Sequence, residues 1–385
     1  MIPYGRQQIT DEDVAAVVAT LRSDFLTQGP QVPAFEAAVA HAVGAAHAVA
    51  VNSATSALHI ACLALGLGPG DWLWTSPITF VASANCARYC GAAVDFVDID
   101  PQTRNLSVQA LQAKLEEAER LGRLPKVLVA VHLCGDPCDM QALHALAQRY
   151  GFAVVEDASH AIGAQYRGQP VGNGRWSDIT VFSFHPVKII TSAEGGMALT
   201  QRADLAERMQ LLRSHGITRD AAAMTQSPDG PWAYEQIDLG FNYRMTELQA
   251  ALGLSQLNRL HHYVQVRQQL AARYDKALAG LPLTLPWRDA RDQSALHLYV
   301  VRVQPGAPMD RAALFERLRA RGIGVNVHYI PVHTQPYYRR LGFAPGDFPQ
   351  AERYYAEALS LPLFAGLTDE QQATVVAALH EALAA

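Results

Sequence analysis

The chain has 385 residues, 50% of them apolar and 17% charged, with a formal net charge of −5. That length and composition predict a compact protein of two domains and exclude a disordered or fibrous one. The mild negative charge excludes the broad basic face needed for nucleic-acid or membrane-surface binding. The opening "MIPYGRQQITDED" lacks the basic flank and apolar run of a secretory leader, and no apolar run reaches the length of a spanning helix, so a cytoplasmic protein is expected.

Between about residues 45 and 200, short apolar runs alternate with longer helical patterns: "AHAVAVN", "DWLWTS", "AAVDFVDI", "KVLVAVHL", "FAVVEDA", "DITVFSF" and "GGMALT". The alternation predicts an α/β domain with a mainly parallel sheet covered by helices, so ligand groups should gather at the strand ends. A long polar loop follows, turning helical near Thr246, with Leu248, Ala251, Leu252, Leu254 and Leu257 at helical spacing. Beyond it come a helix near 266–279, a strand at "HLYVVRV", a helix at 310–320, a strand-like "IGVNVHYIPV" and two final helices. The pattern divides the chain into a large α/β domain, residues 1–260 with the N-terminal segment included, and a smaller α+β domain, 261–385.

Five cysteines, Cys62, Cys86, Cys90, Cys134 and Cys138, are an odd number in a large chain, and reduced thiols are expected. The stretch "VHLCGDPCDM" has neither paired C-x-x-C spacing nor a zinc-deaminase arrangement, so no metal is expected. Cys134 and Cys138 receive no role.

Three features carry chemistry. Asp157 ends the apolar run "FAVVED", which places a carboxylate at the ligand-binding edge of a parallel sheet, although an aspartate there also serves as a helix cap. Lys188 follows the run "ITVFSF" and is either a surface lysine with its stem folded over apolar neighbours or an amine whose setting lets it attack carbonyls. The stretch "NSATSAL" opens a helix with Thr55 and Ser56, whose hydroxyls and free N–H groups suit a phosphate as well as an ordinary cap. Together a lysine for an imine, an aspartate for a ring nitrogen and a helix start for a phosphate match the three handles of pyridoxal 5'-phosphate (PLP).

These stretches resemble the DegT/StrS sugar aminotransferase family of fold-type I PLP-dependent transferases. The motifs "NSATSAL", "PITFVASAN", "VDIDPQT", "VHLCGDPCDM", "EDASHAIGA", "FSFHPVKIITSAEGGM", "LRSHGIT" and "GFNYRMTELQAALG" run in the family's order over residues 1 to about 260. The resemblance implies that Lys188 binds the cofactor covalently, that Asp157 pairs with its ring nitrogen, and that His160 lies beside the ring oxygen or the imine. Phe80 would stack on it, and Ala54, Thr55 and Ser183 would hold its phosphate. Asn242 would reach the cofactor of a neighbouring subunit, which implies a homodimer with a shared active site. Sugar-nucleotide contacts would come from Tyr4, from Asp24, Phe25, Leu26 and Thr27, from Arg244, and from His328, Tyr329, Ile330 and Pro331.

Within the family, "PYGRQ", "DFLTQGP", "FHPVK" and "HYIPVHTQPYY" are most similar to enzymes that move an amino group from L-glutamate to C4 of UDP-2-acetamido-2,6-dideoxy-β-L-arabino-4-hexulose in pseudaminic acid biosynthesis. The alternative is another nucleotide-linked 4-keto-6-deoxy sugar, of the perosamine or bacillosamine type. A PLP sugar dehydratase is disfavoured, because relatives with that activity carry His where this chain has Lys188. The sequence departs from the family at Ala54, where many relatives have Gly, and at Cys134 and Asp136; the latter pair bears on which sugar fits.

Overall fold

The structure, a computed structural model, describes residues 1–383. The last two residues of the expected 261–385 unit lie outside the described residues. Seven strands form the main sheet: β1 (His47–Val51), β2 (Trp72–Thr75), β3 (Ala93–Phe96), β4 (Val127–Val131), β5 (Ala153–Asp157), β6 (Ile179–Ser183) and β7 (Gly196–Thr200). Their spatial order is β1-β7-β6-β5-β4-β2-β3. Strands β2 to β6 pair in parallel, whereas β7 runs antiparallel to both β6 and β1. The expected mainly parallel α/β sheet is therefore present.

Strand β4, "VLVAV", is buried along its whole length because both faces of the sheet are covered. Val129 and Val131 pack with the Ala54–Ala64 helix on one face, while Leu128 and Ala130 meet the Val108–Leu121 and Met140–Tyr150 helices on the other. The carboxyl ends of β5 and β6 carry Asp157 and Ser183 to one edge. Gly196 lets β7 pass under the start of the Ala54–Ala64 helix: a Cβ at this position would lie 2.4 Å from Ala54 N and 2.5 Å from the Ser53 carbonyl carbon. Gly196→Ala is expected to cost about 1–3 kcal/mol of stability by overpacking and to weaken cofactor retention by displacing the helix start. Thermal unfolding and a fluorescence titration with PLP would check both effects.

The C-terminal part holds an antiparallel sheet of β8 (Leu283–Thr284), β9 (Tyr299–Val303) and β10 (Ala358–Leu361), with β9 in the centre. Its core joins Leu270 and Tyr274 of the Leu260–Ala277 helix to Leu314, Leu318, Val375 and Leu379. That helix begins six residues before the expected start at 266. The run "IGVNVHYIPV" does not form a strand. Ile323 makes an isolated bridge to Ile2 and Asn326 one to Ser360, after which a cis peptide joins His328 to Tyr329. Its apolar alternation fits an extended segment whose polar residues serve other contacts instead of a ladder. Strand β10, "ALSL", carried too short a pattern to be expected.

The first residues are tied to this C-terminal part. Ile2 N–H donates to Gly322 O at 2.8 Å, Gly324 N–H to Ile2 O at 2.6 Å, and Leu363 N–H to Tyr4 O at 3.0 Å. The Asp11–Leu21 helix instead docks on the Glu247–Leu257 helix through Asp13, which is fully buried and accepts from Ser255 Oγ and Gln256 Nε2 at 2.6 Å each. All five cysteines are free and buried. Among the described residues no helix is long and apolar enough to cross a membrane.

Candidate active site

Asp157 is 6% exposed at the end of β5. Its Oδ2 accepts from Ser83 Oγ at 2.6 Å and its Oδ1 from the Ser159 N–H at 3.1 Å. Ser83 lies in the first turn of the Ala82–Tyr89 helix and is itself held by Thr79 Oγ1 at 2.7 Å. These bonds fix the carboxylate's orientation. Sequence reasoning missed Ser83, although it stands three residues after Phe80 in "PITFVASAN", one helical turn away.

Lys188 sits in the loop after β6, its N–H donating to His185 O at 2.9 Å. The side chain is half-buried. Burial pushes its amine down to about 8, against the opposing pull of Asp157. A lysine with this affinity is neutral in about a tenth of molecules at pH 7, far more than an ordinary lysine, and the neutral form is the one that attacks a carbonyl. In cofactor-free protein the folded state then binds fewer protons than the unfolded chain between about pH 8 and 10.5. Stability must rise with pH across that window. Comparison of melting temperatures with Lys188→Met, which should lack this increment, checks the sign.

Histidines surround the amine. His160 is buried, and its Nδ1 accepts from the Cys134 N–H at 3.3 Å, which leaves the ring proton on Nε2, 3.1 Å from Tyr329 Oη. The His160 and Tyr329 rings lie nearly parallel, 17° apart with centroids separated by 6.1 Å. Burial, then Lys188 and His328, hold His160 well below the usual histidine range. His328 is pushed down to about 4, by burial and then by Lys188. Its Nδ1 lies 2.7 Å from Ser360 Oγ and its ring 5.4 Å from Tyr4. Phe80 is exposed, with its ring 6.4 Å from Tyr329.

On the phosphate side, Ser53 caps the Ala54–Ala64 helix by accepting from the Ser56 N–H at 3.2 Å, and Ser56 Oγ donates to Asn52 Oδ1 at 2.6 Å. Ala54 and Thr55 are half-buried in the first turn, where backbone N–H groups lack helical partners. Ser183 is buried at the end of β6. Arg244 is attached beside Asn52: it bridges Val51, the neighbouring Tyr243 O accepts the Asn52 N–H at 2.8 Å, and Arg244 Nε is buried without a partner among the described residues.

Other expected site residues stand apart. Asp24 to Thr27 are exposed throughout, and their loop anchors through Leu26 O on the Glu247 N–H at 3.0 Å instead of on the Asp157–Lys188 cluster. Asn242 is exposed, bridged to Ser214. Ile330 is exposed and Pro331 buried.

The donor set therefore fits PLP: an amine lowered toward neutrality, a carboxylate fixed by Ser83 and Ser159 whose charge reaches it, a helix start kept clear by Gly196, and the hydroxyls of Thr55 and Ser183. The model of the DegT/DnrJ/EryC1/StrS aminotransferase family matches residues 7–380. The chain belongs to this family of PLP-dependent sugar aminotransferases. It is 40% identical over 384 residues, 99% of the chain and 96% of the relative, to the spore coat polysaccharide biosynthesis protein SpsC of Bacillus subtilis. Among solved structures it is similar to PseC of Helicobacter pylori, an aminotransferase of pseudaminic acid biosynthesis, with a TM-score of 0.90 and 31% identity over 99% of both chains. A putative sugar aminotransferase of Streptococcus pneumoniae, Spr1654, matches in its PMP form at 0.90 and 31% identity over 99% of both chains, and in its PLP form at 0.89 and 29% over 99% and 98%. The expected fold, enzyme class and cofactor agree with these likenesses.

Proposed function

We propose that the enzyme moves an amino group from L-glutamate to C4 of a UDP-linked 4-keto-6-deoxy sugar, UDP-2-acetamido-2,6-dideoxy-β-L-arabino-4-hexulose, as a step toward pseudaminic acid. The observation that carries the transaminase reading is Asp157, fixed by Ser83 and Ser159 at the end of β5, with Lys188 just past the end of the neighbouring β6 and within reach of its charge. The likeness to PseC supports the choice of sugar. PLP supplies an aldehyde for imine exchange and an electron sink for carbanions. Asp157 would pair with the ring nitrogen and keep it protonated, since an opposite charge favours the cationic form. Thr55, Ser183 and the Ala54 N–H would hold the phosphate, Phe80 would cover the ring, and His160, whose Nε2 lies 3.1 Å from Tyr329 Oη, would stand beside the ring oxygen.

In the first half-reaction Lys188 Nζ would take the proton from the α carbon of glutamate; the amino group would stay behind with the cofactor, water would supply the keto oxygen, and 2-oxoglutarate would leave. In the second, the retained amino group would replace the C4 oxygen of the sugar, which leaves as water, the same lysine nitrogen would deliver a proton to C4, and the UDP-linked 4-amino sugar would leave. One positioned amine serves as base and then as acid, so the kinetics are ping-pong. Tyr4, Arg244 and the His328–Pro331 segment take the sugar nucleotide. Exposed Asn242 and the Asp24–Thr27 loop complete the site of a second subunit in a homodimer.

The higher identity to SpsC favours a second reading in which the same chemistry serves another nucleotide 4-keto sugar. Incubating the enzyme with glutamate and a panel of UDP-4-keto-6-deoxy sugars, then reading the product configuration at C4 by NMR, tests the assignment. Amination of the β-L-arabino substrate above all others supports it, and preference for a different sugar replaces it with the second reading.

A further inference from the structure

Behind His160 lies a second histidine to which the transaminase reading gives no task. His297 is 4% exposed, its ring centroid lies 4.4 Å from that of His160 with the planes 39° apart, and its Nδ1 is buried without a hydrogen-bond partner among the described residues. A buried unpaired ring nitrogen is costly, so the position is held by something other than its own bonding. That restraint is visible in the backbone. Arg267, 2% exposed, donates from Nη1 to the carbonyl oxygens of Leu296 at 3.2 Å, His297 at 3.1 Å and Leu363 at 2.9 Å. Leu296 itself has a φ of 51°, a conformation that a leucine keeps only where its surroundings over-determine it.

The opposite wall is equally tight. Gly135, at φ +96°, passes so close that a Cβ there would meet His160 O at 2.8 Å and Leu296 N at 3.0 Å. Ala295 N–H donates to Gly135 O at 3.0 Å and Leu298 N–H to Cys134 O at 3.3 Å, next to the Cys134 N–H that His160 Nδ1 accepts. Residues 134–135, His160 and 295–298 thus form one packed unit with Arg267 at its back.

We propose that His297, clamped by Arg267, is a positioning residue that keeps His160 in its uncharged, Nε2–H form by filling the space behind the ring and excluding water. The groups facing His160 are Cys134, Lys188, His297, His328 and Tyr329, with the anion Asp157 reaching the cluster beside Tyr329. Those facing His297 are His160, Lys188, Arg267 and His328. Burial first, and then these cations and rings, hold His297 itself well below the usual histidine range, so it presents a neutral back to His160. A proton added to His160 would sit on Nδ1 and remove the acceptor of the Cys134 N–H, and a second charge this close to Lys188 would depress the amine further. Removing the His297 side chain admits water and relieves the desolvation that keeps His160 neutral.

The inference rests on the reading of this site as the PLP site, and its test uses the absorption spectrum instead of turnover. Holoenzyme reconstituted with PLP and free of substrate is titrated from pH 5 to 9. The wild type is expected to show one transition, that of the lysine-linked chromophore. His297→Ala is expected to add a second inflection near about 6.5, the ordinary histidine value, and the double variant with His160→Asn to lose it again. His297→Phe, which refills the space without a polar atom, returns the single transition, and His297→Asn replaces the alanine variant if that protein fails to fold. A His297→Ala spectrum that titrates in one step like the wild type, or an inflection that survives in the double variant, overturns the proposal. Absence of any lysine-linked band in the wild type would instead overturn the cofactor assignment on which it stands.

Discussion

Lys188→Ala is expected to lose at least about 10³-fold in transamination rate, at the upper part of the range for removal of a general acid–base, and to lose the visible band of the lysine-linked cofactor. The loss should appear in each half-reaction when glutamate and the keto sugar are supplied separately, because the same nitrogen moves the proton in both. Folding should survive. The amine is pushed down to about 8 by burial, so the wild-type protein below that pH holds a partly desolvated cation that alanine does not. The cofactor-free variant should therefore melt no lower than the wild type at pH 7. A small added amine, able to occupy the vacated space, is expected to restore part of the rate. Wild-type turnover by Lys188→Ala without added amine would remove Lys188 from the mechanism.

Much of this site could be read from the chain because its main groups lie at strand ends. Asp157 and Ser183 close β5 and β6, and Lys188 follows five residues after Ser183, so an apolar run that stops at a polar residue marks each place. Thr246 was legible for a different reason: its side chain and that of Gln249 form a reciprocal cap, a local signal that needs no tertiary partner. What could not be read depends on contacts between distant segments. Ser83 reaches Asp157 across 74 positions, and His297 meets His160 only because Gly135 and Arg267 bring their segments together. The extended run from Ile323 misled for the converse reason. Its alternation is that of a strand, but its backbone partners are isolated, at Ile2 and Ser360, and the chain then turns at His328. Alternation specifies which side chains are buried, and only a neighbouring strand in register makes a ladder of them.

The electrostatic balance around the amine links these residues. Lys188 depresses His160 and His328, and burial depresses all three, so near neutral pH the two histidines are uncharged and the lysine carries the cluster's positive charge. Asp157 is the opposing influence, because its negative charge raises the proton affinity of Lys188. Asp157→Asn and Asp157→Ala therefore have two separable consequences. With the cofactor bound, loss of the carboxylate removes the partner of the ring nitrogen, and rates should fall by about 10²- to 10⁴-fold, the range typical when a preorganised charge is withdrawn from a dry site. Without cofactor, the Lys188 amine should fall below about 8, so the window in which stability rises with pH opens at lower pH than in the wild type. Asn retains an acceptor for Ser83 Oγ and Ala does not, yet Ser83 keeps Thr79 as a partner in both, so neither substitution should unfold the helix start. Kinetics measured in parallel with apoprotein melting from pH 7 to 10 would distinguish the effects. Unchanged rates would contradict the ring-nitrogen role, while an unchanged stability window would show that Asp157 does not act on the lysine.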